Sequence, residues 1–359
     1  MELNLDEEIF KAYGFNATTL TIQQIGSGHI NRTYLLSTLS GEKYILQNIN
    51  TSVFKDPKAI ANNIKAVADE LREIDPDYLF PTPISTAHGD LMVHRNKEYW
   101  RLLPFVADTV ALDTLSSPNQ AYEAAKQFGK LNRLLNHFNT LHLKPTIPGF
   151  HDLSWRYEQF IEALTKTSDR LKNNAQREID VALRHHFIVA YYHSYENRKD
   201  FPNRVMHHDT KISNVLLDKA NHHGICVIDL DTLMPGKFIS DLGDMMRTYL
   251  CAFSENEKDL QKITIRIPYF RATIEGYLSE MASILTPTEK ELILFAGKYI
   301  IYMQALRFLT DYLNGSIYYP ISYLEQNLDR AKNQFKLLSE LFENEKILQD
   351  IIEECLSSL

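Results

Sequence analysis

Cysteine is scarce in this chain. Its 359 residues include three, Cys226, Cys251 and Cys355. The count is odd and none sits at metal or redox spacing, which argues against a disulfide framework and fits a reducing compartment. Excess positive charge is also missing: 38 Lys and Arg stand against 46 Asp and Glu, a formal net charge of −8. That balance speaks against general binding to nucleic acid or to an anionic membrane, while a nucleotide needs only a local positive site. There is no long uninterrupted apolar run. The stretch Leu292 to Leu309 is broken by Lys298 and Arg307 and reads as a buried helix, not a membrane span. The opening MELNLDEEIFKAYGF is acidic and amphipathic, unlike a secretory signal with a basic start and an apolar core. Together these features lead us to expect a cytoplasmic, soluble monomer without nucleic-acid or membrane partners.

The chain is long enough for two lobes, since single cores stop growing at roughly 250–300 residues. Residues 1–106 are strand-rich in pattern. Thr21–Ile25, Arg32–Ser37, Lys43–Ile49, Asp90–His94 and Glu98–Val106 are expected strands, and a helix is expected over Asp56–Glu73, capped by Asp56 with Pro57 at its first position. Residues 107–359 turn helical: Ala121, Ala125, Phe128, Leu131, Leu135 and Phe138 recur at helical spacing, and Ser154–Lys172, Arg177–Asn197 and Tyr323–Phe342 follow. The expected architecture is therefore α+β, a protein-kinase-like bilobal fold with a small β-rich N-lobe and a larger α-helical C-lobe. The join falls near Leu103-Pro104-Phe105-Val106.

The densest chemical signal is MHHDTKISNVLLDKANHHGICVIDLD. Arg204–Met206 reads as a strand entering a loop, Asn214–Leu217 as a strand leaving it, and Ile225–Ile228 as a buried strand that delivers Asp229. Asp209, Asn214 and Asp229 thus each stand at a strand end. One Asp to orient a hydroxyl nucleophile, with an Asn and a later Asp to hold a divalent cation against phosphates, is the set that phosphoryl transfer requires. Any one of these residues alone could be a turn cap. Earlier in the chain, Ile25-Gly26-Ser27-Gly28-His29 joins the first two expected strands. A GxG hairpin by itself is often only a turn, but standing ahead of the Asp/Asn/Asp set it can bring backbone N–H groups and the Ser27 hydroxyl onto phosphates. His29 would project from this hairpin towards an acceptor.

With those residues in view, His207-x-Asp209-x-x-x-x-Asn214, the later Ile228-Asp229 and Asp241-Leu242-Gly243-Asp244 resemble the aminoglycoside phosphotransferase and choline kinase superfamily. HHDTKISNVLLD is specific for the superfamily, and VIDLDTLMPG and the segment Ala305–Gly315 point within it to the N-acetylhexosamine 1-kinase branch. The resemblance implies ATP as co-substrate and Mg²⁺ as cofactor. It makes Asp209 the catalytic residue and assigns Asn214 and Asp229 to the metal. Gly26, Ser27, Gly28, Gln47, Leu103 and Phe105 fall to ATP, and His29, Asp209, Asp231, Thr232 and Arg307 to a small sugar phosphorylated at its anomeric hydroxyl. His207 would tie the loop to the core. Three departures stand out. His208 occupies a position where the family usually has Gly, and Gln47 stands where relatives place a Lys or Arg for the phosphates. Asn62 and Asn63 stand where an acidic partner is expected. The two amide positions are expected to pair with each other, with Lys43 as an alternative cation. Other small-alcohol kinases, for choline, homoserine or aminoglycosides, and a nucleotide-binding pseudokinase are the competing readings. Arg307, inside an otherwise apolar helix, would be structural if it paired with Asp311 at i+4.

Overall fold

The computed structural model describes residues 5–26 and 30–358. A small antiparallel-sheet lobe precedes a larger helical lobe, the two-lobed α+β arrangement expected from the sequence.

The first sheet contains β1 (Leu20–Ile25), β2 (Arg32–Thr38), β3 (Lys43–Ile49), β4 (Val93–Arg95) and β5 (Glu98–Pro104), in the order β1-β2-β3-β5-β4. Because strand side chains alternate between faces, the two faces differ in character. Tyr34, Leu36, Leu46, Trp100 and Leu102 lie on one face and close a small core with Ile9 and Phe10 of the helix Glu7–Ala12. The other face carries Thr33, Leu35, Ile45, Gln47, Arg101 and Leu103, aligned by the pairs Thr33↔Gln47, Leu35↔Ile45, Gln47↔Arg101 and Ile45↔Leu103. Arg101 is the buried member of that row; the others are half-buried.

The expected helix after β3 spans Pro57–Ile74, and the Asp56 carboxylate accepts the Ala59 N–H at 3.2 Å. Its apolar stripe of Ile60, Ile64, Val67 and Leu71 joins the large core of the helical lobe, not the small core behind the sheet. The helix therefore bridges the lobes.

In the second lobe, β6 (Thr109–Ala111) pairs with β8 (Val215–Asp218), which also pairs with β9 (Gly224–Val227), while β7 (Arg204–Met206) pairs with β10 (Met234–Gly236). The helix Ile293–Leu313 is almost wholly buried, packed by the helices Phe238–Tyr249, Gln326–Glu343 and Leu153–Lys166. Gly243 permits the closest of these approaches, since a Cβ there would stand 2.2 Å from the Ala296 carbonyl oxygen. Among the described residues, no helix is long and apolar enough to cross a membrane.

Two expected helices are each broken in two. Ser154–Lys172 becomes Leu153–Lys166 and Asp169–Asn174, because Thr167 is extended and the Ser168 hydroxyl accepts the Leu171 N–H to start a new helix. Arg177–Asn197 becomes Gln176–Arg184 and Phe187–His193. There the His185 ring Nδ1 lies 2.9 Å from the Val181 carbonyl at the break. Apolar periodicity carries straight through both interruptions, so it does not reveal them.

Candidate active site

Strand β7 delivers the chain to His207, and helix Phe238–Tyr249 fixes the loop that follows. The buried Asp241 carboxylate accepts the backbone N–H groups of His207 (3.0 Å) and His208 (2.8 Å). Asp244 accepts the Thr210 N–H at 2.8 Å, the Thr210 hydroxyl donates to the Asp241 carbonyl at 2.7 Å, and Tyr249 donates to the Thr210 carbonyl at 2.7 Å. His207 Nε2 lies 2.8 Å from the Ile228 carbonyl oxygen, and its ring meets Phe128 edge-on. The backbone N–H groups of His207, His208 and Thr210 are all satisfied, so the loop is held as firmly as a secondary-structure element.

His208 has φ +65°, in the left-handed region that favours glycine. Its imidazole is buried against Gly236, where a Cβ would come 2.4 Å from the ring. His208 Nδ1 is 2.7 Å from the Ser240 hydroxyl and 3.3 Å from His151 Nδ1. The bulk admitted at position 208 is thus matched by an absent side chain at position 236.

The Asp209 carboxylate is half-buried and accepts from Lys211 Nζ at 2.9 Å and from Asn214 Nδ2 at 3.0 Å. Desolvation opposes its ionisation, but Lys211, His207 and Asn214 outweigh it and hold the carboxyl below the usual Asp range. The Ile228 N–H donates to the Asn214 carbonyl at 2.8 Å, which brings Asp229 beside the loop. Asp229 itself has φ 59° and ψ 57°, a left-handed turn just past the end of β9. It opens to the cleft, yet protein surrounds it. That desolvation, with the Asp231 and Asp209 carboxylates adding to it, pushes Asp229 up to about 6, while Lys211 and Arg101 oppose the shift.

These residues fit a hard divalent cation. Both contacts of Asn214 Nδ2 go to Asp209, at 2.8 Å to its carbonyl and 3.0 Å to its carboxylate, leaving Asn214 Oδ1 as the free donor atom. With Asp229 it offers two oxygens, as Mg²⁺ takes from protein when phosphates and water supply the rest.

The roof of the cleft answers the question raised by Gln47. The Gln47 carboxamide oxygen accepts from Arg101 Nε (2.9 Å) and Nη2 (2.6 Å), and its nitrogen donates to the Thr33 hydroxyl at 3.2 Å. Arg101 Nη1 forms an ion pair with Asp231 at 2.5 Å, both side chains being buried. Asn31, just past the glycine hairpin, donates to the other Asp231 oxygen at 2.6 Å. The expected pairing of Gln47 with the helix amides does not occur. Asn63 instead donates to the Lys144 (2.7 Å) and Leu233 (2.9 Å) carbonyls and accepts from the Lys144 N–H at 3.0 Å, while Asn62 is exposed. Lys43 lies at the other end of β3, with Nζ 5.5 Å from the Phe105 ring centre. Leu103 and Phe105 are half-buried, Leu103 across from Ile45 and Phe105 just past the end of β5. Gly26 has φ +87°; Ser27, Gly28 and His29 lie outside the described residues.

On the acceptor side, the buried Thr232 hydroxyl donates to the His207 carbonyl at 2.6 Å. Arg307 does not pair with Asp311, whose carboxylate is taken by the N–H groups of Ile317, Tyr318 and Tyr319 and by Asn327. Its guanidinium contacts Gln304 Oε1 at 3.0 Å and stands 5.2 Å from the Phe150 ring centre and 5.6 Å from that of Tyr319. Phe150 stacks on His151, and His151 meets His208 edge-on, so a continuous chain of rings links Arg307 to the residue before Asp209.

Sequence reasoning missed Lys211 and Arg101. Lys211 stands two residues past Asp209 in a loop already singled out, and its charge was there to be noticed. Arg101 becomes visible only through the register of β3 against β5.

The family model for the phosphotransferase enzyme family, APH, matches residues 21–266. Among solved structures, a microcompartment-associated aminopropanol kinase is similar at TM-score 0.63 and 14% identity, over 94% of this chain and 97% of that one. An amicoumacin kinase in complex with AMP-PNP, Ca²⁺ and amicoumacin gives TM-score 0.58 and 14% identity over 92% and 90%. A choline kinase from Cryptosporidium parvum gives 0.56 and 16% over 96% of each chain. At these identities the likeness establishes a shared fold.

Proposed function

The chain belongs to the phosphotransferase enzyme family, and from that premise we propose that it transfers the γ-phosphoryl group of ATP to the anomeric hydroxyl of an N-acetylhexosamine. The observation that carries the reaction type is Asp209 fixed between Lys211 and Asn214, with Asp229 beside them. The acceptor oxygen forms a bond to the γ-phosphorus as the bond to the bridging oxygen of ADP breaks. Asp209, ionised because its neighbours favour the charge, orients that hydroxyl and takes its proton. Asn214 keeps the carboxylate in line, and the Lys211 ammonium lies where it offsets charge on the γ-oxygens. Asn214 Oδ1 and Asp229 would hold Mg²⁺, which draws charge off the β- and γ-oxygens when bound. Leu35, Ile45 and Leu103, half-buried on the cleft face of the sheet, would cover the adenine, and the backbone near Leu103 and Phe105 would read its edge. Gly26, with Ser27 and Gly28, would cover the phosphates.

The sugar reading rests on the acceptor side. A cationic acceptor such as choline or an aminoglycoside calls for carboxylates in its pocket. Arg307, grouped with the Phe150 and Tyr319 rings, would instead offer a positive, aromatic surface suited to a pyranose ring and its acetamido carbonyl. Asp231 and Thr232 would accept sugar hydroxyls through lone pairs left after their own contacts, with His29 as a further candidate contact. The test is protein with Mg-ATP and a panel of N-acetylhexosamines, choline, homoserine and aminoglycosides, followed by phosphorus NMR. Appearance of a sugar 1-phosphate is the expected result; turnover of an amino alcohol alone would replace this reading. Arg307→Ala should raise the KM for the sugar by about tenfold or more, the worth of one charged hydrogen bond, and leave the KM for ATP unchanged.

A further inference from the structure

We propose that Arg101 supplies the phosphate-facing positive charge that strand β3 lacks, and that Asp231 replaces the acidic partner missing from the Pro57–Ile74 helix. In kinases, a strand lysine acts on the nucleotide phosphates only while it is paired with a helix glutamate. Here both charges have moved. The cation stands one strand over, directly opposite Gln47. The anion stands two residues past Asp229, in the other lobe.

Three independent observations support this relocation. Gln47 binds the arginine fork through Nε and Nη2, so the residue at the lysine position now orients a cation instead of being one. Arg101 is buried on the cleft face of the sheet, where its charge is weakly screened, and its Nη1 pairs with Asp231 across the lobes. Finally, Lys43 is spent at the far end of β3 beside Phe105, while Asn63 is locked onto backbone carbonyls. Neither former candidate is in place to act.

The move has a consequence for lobe closure. A strand–helix pair lies within one lobe, whereas Arg101–Asp231 crosses the cleft. Asn31 reaches the same carboxylate from the end of the glycine hairpin and accepts the Asn50 N–H at 3.0 Å. The Arg101 charge, Asn31 and the segment carrying the proposed metal ligand are therefore brought together by one carboxylate, in a contact that crosses between the lobes.

The inference rests on the phosphotransfer reading only in requiring a nucleotide in the cleft, so its test uses no acceptor. Mg-ADP affinity is measured by calorimetry for wild type, Arg101→Gln, and the swapped pair Gln47→Lys/Arg101→Gln. The expected result is affinity weakened about tenfold or more in Arg101→Gln, the scale of one charged contact, with at least half of that loss recovered on a logarithmic scale in the swap. If Arg101 merely braces Asp231, Mg-ADP affinity stays within about threefold of wild type and only the acceptor KM rises; that outcome overturns the proposal. Should Arg101→Gln not fold, Arg101→Met carries the test, because it keeps the apolar stem and removes the charged fork. A loss of Mg-ADP affinity at unchanged melting temperature supports the proposal, and unchanged affinity defeats it. Failure of every sugar in the acceptor panel would leave the calorimetric result standing.

Discussion

The two walls of the cleft are built differently. The floor, His207 to Asn214, is bolted to helix Phe238–Tyr249 through Asp241, Asp244 and Tyr249, all buried. The roof is a sheet with its own small core; it reaches the floor through Arg101 and Asn31 on Asp231, while Ile49 and the bridging helix anchor it in the large core of the other lobe. In-line transfer needs an attacking oxygen held within a fraction of an ångström, which a rigid floor provides. Nucleotide entry needs a cleft that opens, and the polar contacts at Asp231 are the ones such an opening would break. On the proposed reaction, the stiffness of each wall matches the part assigned to it.

The strongest way to break the comparison is to remove chemistry from the floor without loosening it. Asp209→Asn should lower kcat by about 10³-fold, roughly 4 kcal/mol of barrier, with the melting temperature within a few degrees of wild type. Near-normal turnover would take Asp209 out of the catalytic role. The converse experiment loosens the floor without touching the reacting groups. Asp241→Ala strands two buried N–H groups, of His207 and His208, and should cost about 3 kcal/mol of stability at ~1–3 kcal/mol per stranded donor. Denaturant unfolding measures it. A loss below about 1 kcal/mol would mean that solvent or a shifted backbone satisfies those donors, and that the loop is not bolted in the sense argued here.

The same contrast governs what the sequence revealed. Asp209, Asn214 and Asp229 were legible because strand-end spacing is a local property, and the β7, β8 and β9 segments are short apolar runs with polar ends. The absence of a cation at Gln47 was equally legible. Its replacement was not, since Arg101 faces Gln47 only through a pairing between β3 and β5 that alternation within either strand does not specify. His208 in a glycine position could be seen as a departure, but Gly236, which makes room for it, lies on a paired strand with no sequence link to it. The expected amide pair failed for the same reason: Asn63 answers to the Lys144 and Leu233 backbone of the other lobe. Likewise the helix breaks at Thr167 and His185 come from side-chain capping, to which apolar periodicity is blind.

The smallest expected effect probes, by pH, the join between the floor and the stack of rings that leads to Arg307. Burial is the main cause that lowers the pKa of His208, with Asp241 and the Pro235 and Met234 carbonyls opposing and His207 assisting. Burial also dominates at His151, which is lowered well below 6.5 with help from His208, Arg307, Arg247 and Arg156. Both imidazoles stay neutral in the folded protein and take a proton when unfolded. Unfolding then binds more protons below pH 6.5, so stability is level above that pH and falls as pH drops beneath it, by at most about 1.4 kcal/mol per pH unit for His208. Asp229 works the other way. Raised from 3.8 to about 6, it binds a proton in the folded state first and adds stability on acidification between those values. Comparing His208→Gly with wild type cancels that opposing contribution, because Asp229 is present in both, and glycine accepts the φ of +65° at position 208. The variant should be less stable than wild type at pH 7.5, having lost the ring packed against Gly236, and the gap should narrow as pH falls from 6.5 to 5.5. A gap that stays constant across that window would mean that His208 is protonated in the folded protein, and that the junction tolerates a charge its burial argues against.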